Sequence, residues 1–310
     1  MVRNTSAVDE EHFRLVSSFN DIFVVIACTM LLASIGWIAG SLHYFVGSAA
    51  VAASAWLLAE YFTRKRRMAL PSILLLLAFT GGVAMTGVAL AILLGLDRSR
   101  PPNWIVVSAV AALTTYGAWC HWRRFQVPIT VAVGAAALAC SIVALVFKMV
   151  PGANSFIPLL SLAAGIAIFG LAMSWDRMDR ARLTRKSDAA FWLHLLAAPL
   201  LVHPVFALLG DSGQHHALLG ALAILATYVA IAIISLSIDR RALMVSALAY
   251  VLYTFSMLLK QYGIVSLGFA VTALVIGGAL LLLSAFWHVS RRVVLQRLPQ
   301  FVQKYLPPCA

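Results

Sequence analysis

Charge is scarce in this sequence, acidic charge most of all. Only 11 Asp and Glu stand among 310 residues, and charged residues of both signs make up 11%. A soluble domain carries about 25% charged residues, so a water-soluble globule is excluded. Cysteine is scarce as well: Cys28, Cys120, Cys140 and Cys309, with no two in a C-x-x-C spacing. That excludes a disulfide frame and a cysteine-built zinc site. There is no nucleotide-binding loop, no dinucleotide fingerprint, no H-E-x-x-H helix and no nucleophile elbow. Most soluble-type catalysis falls with them, no cofactor is implied, and the reading leans away from an enzyme. Intramembrane catalysis, whose polar residues scatter along helices, stays open.

What the sequence does have is apolar length. Hydrophobic residues reach 62% and the mean hydropathy is +0.94. A bilayer-crossing helix needs about 20 apolar residues, and ten segments qualify. They are 22–42, 44–62, 68–96, 104–120, 127–147, 157–175, 189–209, 217–238, 242–259 and 264–288. Barrel strands would alternate polar with apolar, whereas 73–79 reads Ile-Leu-Leu-Leu-Leu-Ala-Phe. The fold class expected is therefore all-α, a polytopic membrane bundle of ten transmembrane helices.

The net charge of +12 invites a nucleic-acid reading, but the basic residues sit in short clusters between apolar runs. Nineteen of the 23 Lys and Arg fall at the N-terminus or in every second loop, and four in the alternate set. This is the positive-inside pattern, which places both termini in the cytoplasm. The partner expected is the lipid bilayer and not nucleic acid, with a small-molecule or ion substrate left open. Residues 1–21 read as a cytoplasmic or interfacial segment, 22–288 as the membrane domain, and 289–310 as an amphipathic cytoplasmic tail.

The seventh span holds what chemistry there is. It alone has prolines deep inside, Pro199 and Pro204, and it carries His194 and His203. Each proline frees a carbonyl that a neighbouring helix, a hydroxyl or water must satisfy. Intramembrane ionisable residues are costly and face a bundle interior or a watery cavity. Nine residues separate the two histidines, so nine steps of about 100° point them to opposite faces. His203 is expected to border an interior cavity and His194 to meet the inner interface. The bland alternative is a kink that fits its neighbours.

Other candidates are weaker in chemistry. His43, His203, His215 and His216 lie towards the outer face, with Asp211 beside the last pair, and imidazoles with carboxylates are zinc and copper ligands. No known ligand spacing joins them. In the ninth span, Ser246, Tyr250, Tyr253, Met257 and Lys260 recur in steps of 4, 3, 4 and 3, one helical face. That face either lines a substrate path or pairs with other helices. Glu60, near the inner end of the second span, is expected to be salt-bridged.

The stretch from Ser187-Asp188 through Phe191-Trp192-Leu193-His194 to His203-Pro204 resembles a segment of bacterial inner-membrane proteins grouped as domains of unknown function. The resemblance covers about one hairpin and implies a bacterial inner-membrane location without an activity. The layout is also similar to that of drug/metabolite transporters. Their two inverted five-helix repeats would pair the seventh span with the second, which has neither interior proline nor histidine.

From this topology, cysteines placed at Gly152 and Ser212 are expected to react with an impermeant thiol reagent on intact cells. One at Arg123 is expected to react only after permeabilisation, and the reverse pattern would overturn the orientation.

Overall fold

The computed structural model describes residues 19–96, 103–150, 152–179, 184–212, 217–239, 277–278 and 286–297. Among them there are helices and no strands. The helices are α1 (Phe19–Gly40), α2 (Tyr44–Ala59, running on as a π-helix over Glu60–Lys65), α3 (Ala69–Leu93), α4 (Trp104–Phe125) and α5 (Ile129–Met149). Then follow α6 (Ile157–Met178), α7 (Arg185–Ser212), α8 (Ala217–Ile238) and α9 (Trp287–Arg297). Seven of these helices are long and apolar enough to cross a membrane. At 1.5 Å per residue, 22 residues give about 33 Å, enough for a hydrocarbon core of about 30 Å. Their outer faces carry exposed Trp37, Ile38, Met85 and Leu159, as a lipid-facing surface requires. The ninth expected span, all of the tenth but residues 277–278 and 286–288, and residues 298–310 of the tail lie outside the described residues. The described part of the tail, 289–297, lies in α9, which begins at Trp287.

The chain divides into two compact units, Met1–Pro151 and Gly152–Ala310. In the first, the tightest pairings are α2 with α3 and α4 with α5, each across a basic turn. Those turns are only a few residues long because a left-handed residue ends each helix abruptly. Arg67 has φ 53° and Gln126 φ 56°, and the Gln126 amide returns to the Trp122 carbonyl.

Water-free packing needs close backbones and satisfied hydroxyls. Gly47 of α2 faces the Gly36–Gly40 stretch of α1 so closely that a Cβ there would lie 2.7 Å from the Gly40 Cα. On the other side, Ser48 of α2 meets Thr86 of α3, whose hydroxyl donates at 3.1 Å. Between α4 and α5, Ser108 and Ser141 are both buried, and each hydroxyl donates to the other's carbonyl at 3.0 Å. Thr80, Thr114 and Thr115 instead donate to the carbonyl four residues back on their own helices.

In the second unit, α6 and α7 form the dominant antiparallel pair. Ala198 of α7 and Ile238 of α8 are buried, with Phe169, Met173, Leu201, Ile231 and Leu295 packed round them. α7 begins at Arg185, four residues before the apolar run, because the Asp179 carboxylate fixes its entry. That carboxylate accepts from the Thr184 amide at 2.7 Å and its hydroxyl at 2.6 Å.

Gly47→Ala is expected to lower stability by about 1–3 kcal/mol, since the added methyl meets backbone and not a movable side chain. Gly81→Ala, with nothing within 4 Å of the new carbon, is expected to be neutral. Thermal unfolding of the detergent-solubilised protein compares the two.

Candidate functional site

The inward face of α6 runs Ser161, Gly165, Ile168, Ala172, Asp176, in steps of four and three. Gly165, Ile168, Ala172 and Asp176 are all buried. The facing surface of α7 is Ala190, Leu193, His194, Ala197 and Ala198, each with no accessible surface. Small residues bring the two backbones together, and the polar groups at either end of this seam satisfy one another.

At one end, His194 Nε2 lies 2.9 Å from the Asp176 carboxylate, with side-chain exposures of 0% and 7%. The Phe169 ring stands edge-on to the imidazole, centroids 5.3 Å apart. Counting from Arg185, His194 is about 13.5 Å along the helix. A carboxylate and an imidazole at hydrogen-bond distance share one proton, as an ion pair or as a neutral pair, and a buried pair of this kind is held by its surroundings.

At the other end, Pro204 has no amide to offer the Leu200 carbonyl. Ser161 of α6 donates its hydroxyl there, at 3.4 Å. Gly165, one turn along α6, makes room: a Cβ at that position would lie 3.0 Å from the Leu200 carbonyl carbon. The α7 helix thus continues unbroken through both prolines.

His203, expected to border an interior cavity, lies on the exposed side of α7. The reason is the half-turn between the two histidines: α6 claims the His194 face, which turns His203 away. His194, expected at the inner interface, is the enclosed one. Pro199 sits between them on the same helix. Tyr250, Tyr253 and Lys260 lie outside the described residues, as do His215 and His216. His43 caps α2, its Nδ1 accepting from the Phe45 amide at 3.1 Å. Among the described residues, no group of three or more His, Cys, Asp or Glu stands close enough to hold a metal ion.

Asp176 was hidden from sequence reasoning because it stands beside Arg177 in a stretch that reads as loop. Its register with Gly165 and Ala172 was the available signal. His121 of α4 was missed in the same way. It is fully buried, its ring centroid 4.5 Å from Phe125, 5.7 Å from Phe79 and 5.9 Å from Trp56. His121 Nδ1 is 3.4 Å from the Thr130 hydroxyl, and Nε2 has no hydrogen-bond partner among the described residues. One turn on, Arg124 holds Glu60 in a two-pronged pair at 2.6 and 3.1 Å, and Arg64 adds a bond at 3.2 Å. The salt bridge expected of Glu60 is thus an inter-helix clamp between the π-helical end of α2 and α4.

No family model, curated protein or solved structure matches the chain.

His194→Ala is expected to cost about 1–3 kcal/mol, because it leaves a buried carboxyl without its partner, while His203→Ala is expected to stay within about 0.5 kcal/mol. Unfolding titrations in mixed detergent micelles measure both. A larger loss at His203 would contradict this assignment of the two faces.

Proposed function

We propose that the chain is a bacterial inner-membrane carrier for a small solute or ion, with ten spans and both termini in the cytoplasm. The observation that supports this most is the buried His194–Asp176 pair, held inside the tight α6–α7 seam. A pair of titratable groups within a span is expensive to keep in lipid, and such pairs mark ion and proton pathways. The interior prolines of α7 add a point at which a neighbouring helix, through Ser161, takes up a freed backbone carbonyl within the span.

A second reading, a structural or regulatory membrane subunit, has its own support. The Leu200 carbonyl freed by Pro204 is taken up by Ser161, and His203 faces outward, which is what a packing kink requires. A third, a metal or cofactor protein, would need His43, His203, His215 and His216 to converge.

Metabolite and ion profiles of a deletion strain separate the first two readings. Transport predicts a change confined to one or a few solutes. It also predicts that His194→Gln and Asp176→Asn proteins, present in the membrane at wild-type yield, fail to restore the parent profile. Full restoration by both variants would contradict a pathway through the pair.

A further inference from the structure

The basic end of α2 carries more than an orienting charge cluster. From Glu60 to Lys65 the helix widens into a π-turn, in which the Arg66 amide returns to the Tyr61 carbonyl at 3.0 Å. π-turns of this kind recur at functional positions. Here the widened turn walls a groove of 510 Å³ lined by Leu57, Glu60, Tyr61, Arg64 and Lys65. Ligand sites span about 300–1,000 Å³.

The groove is graded along its length. Leu57, 69% exposed, forms the end nearer the middle of the span. Tyr61, 43% exposed, stands one turn further out, and Arg64 and Lys65 close the basic end. From Leu57 to Lys65 the rise is about 12 Å. This is the passage from acyl chain through glycerol to headgroup at the edge of a bilayer.

Glu60 is held by both Nε and Nη2 of Arg124, and Arg64 reaches it through Nη1 alone. Among the described residues, Lys65 has the Tyr61 ring alone, 6.0 Å from its Nζ. Arg66 is engaged by Tyr61, both its Nε and Nη2 donating to the Tyr61 hydroxyl. Two cations, Arg64 and Lys65, therefore line the groove against one carboxylate. The remaining donors of Arg64 and the Lys65 ammonium are the cationic groups of its lining, the kind that hold a phosphate. The Glu60 charge in the wall disfavours a second negative charge on the occupant.

We infer that this groove binds one anionic phospholipid, its singly charged phosphodiester on Arg64 and Lys65, its glycerol beside Tyr61 and its acyl chain over Leu57. The chemistry is of the kind by which basic pockets at membrane-span ends retain acidic lipids. It stands apart from the proposed carrier role, since Glu60, Arg64 and Lys65 belong to the first unit and His194 and Asp176 to the second.

The test is thermal unfolding of the detergent-solubilised full chain, titrated with phosphatidylglycerol, with phosphatidylethanolamine of the same acyl chains, and with inorganic phosphate. Phosphatidylglycerol is expected to raise Tm saturably, by selective binding to the folded state, and the other two to leave it unchanged. The Arg64→Gln/Lys65→Gln variant is expected to need about 25-fold more phosphatidylglycerol for half-saturation, and Lys65→Gln alone about fivefold more. Lys65→Gln removes a side chain with no hydrogen bond among the described residues, so it serves if the double variant does not fold. An equal rise with phosphatidylethanolamine would mean only acyl solvation. A rise with phosphate alone would mean a free-anion site. Either result, or unchanged titrations of the variants, overturns the inference.

Discussion

A bilayer core holds no water, so every polar group that enters it has to find its partner within the protein. That constraint organises the helix pairs described above. Where a carbonyl is freed by Pro204, Ser161 of the next helix takes it up. Where Ser108 enters the interface of α4 with α5, Ser141 answers it atom for atom. Hydrophobic burial cannot by itself drive one apolar helix against another in lipid, so close approach over small residues and these few hydrogen bonds carry the pairing. Gly47 over Gly40 and Gly165 over Leu200 show how close the backbones come.

The same constraint gives the His194–Asp176 pair its weight. Each group alone would be expensive in the span, and together they satisfy a strong donor and acceptor at 2.9 Å. Their partnership also settles how α7 is turned, because the helix face bearing His194 must meet α6. His203, half a turn away, is then exposed, and the two histidines of one span have unlike environments.

How far the sequence revealed this differs from element to element. Long apolar runs made the spans up to α7 readable, since length and composition alone decide whether a helix can cross a bilayer. The ends were not readable. α4 continues five residues past its apolar run, through His121 to Phe125, and α2 runs on to Lys65 as a π-turn. Both extensions carry charges of the kind that end a span, yet Arg124 and Glu60 cancel one another across the helices. For the site, helical angles separated His194 from His203 correctly, but both faces of α7 are apolar, so the angle alone did not say which faces inward. That choice lies with α6, whose Gly165, Ala172 and Asp176 share a face. Reading Asp176 as loop hid the partner that decides it.

The central claim is that the α6–α7 pair is held by a specific hydrogen bond between His194 and Asp176, and not by apolar fit alone. A double-mutant cycle tests it most directly, with Asp176→Ala, His194→Ala and the double variant unfolded reversibly in lipid–detergent bicelles. The account predicts a coupling energy of at least about 1 kcal/mol, the double variant losing less than the two single variants together. Losses that add to within about 0.5 kcal/mol would show that the two side chains do not interact and would contradict it.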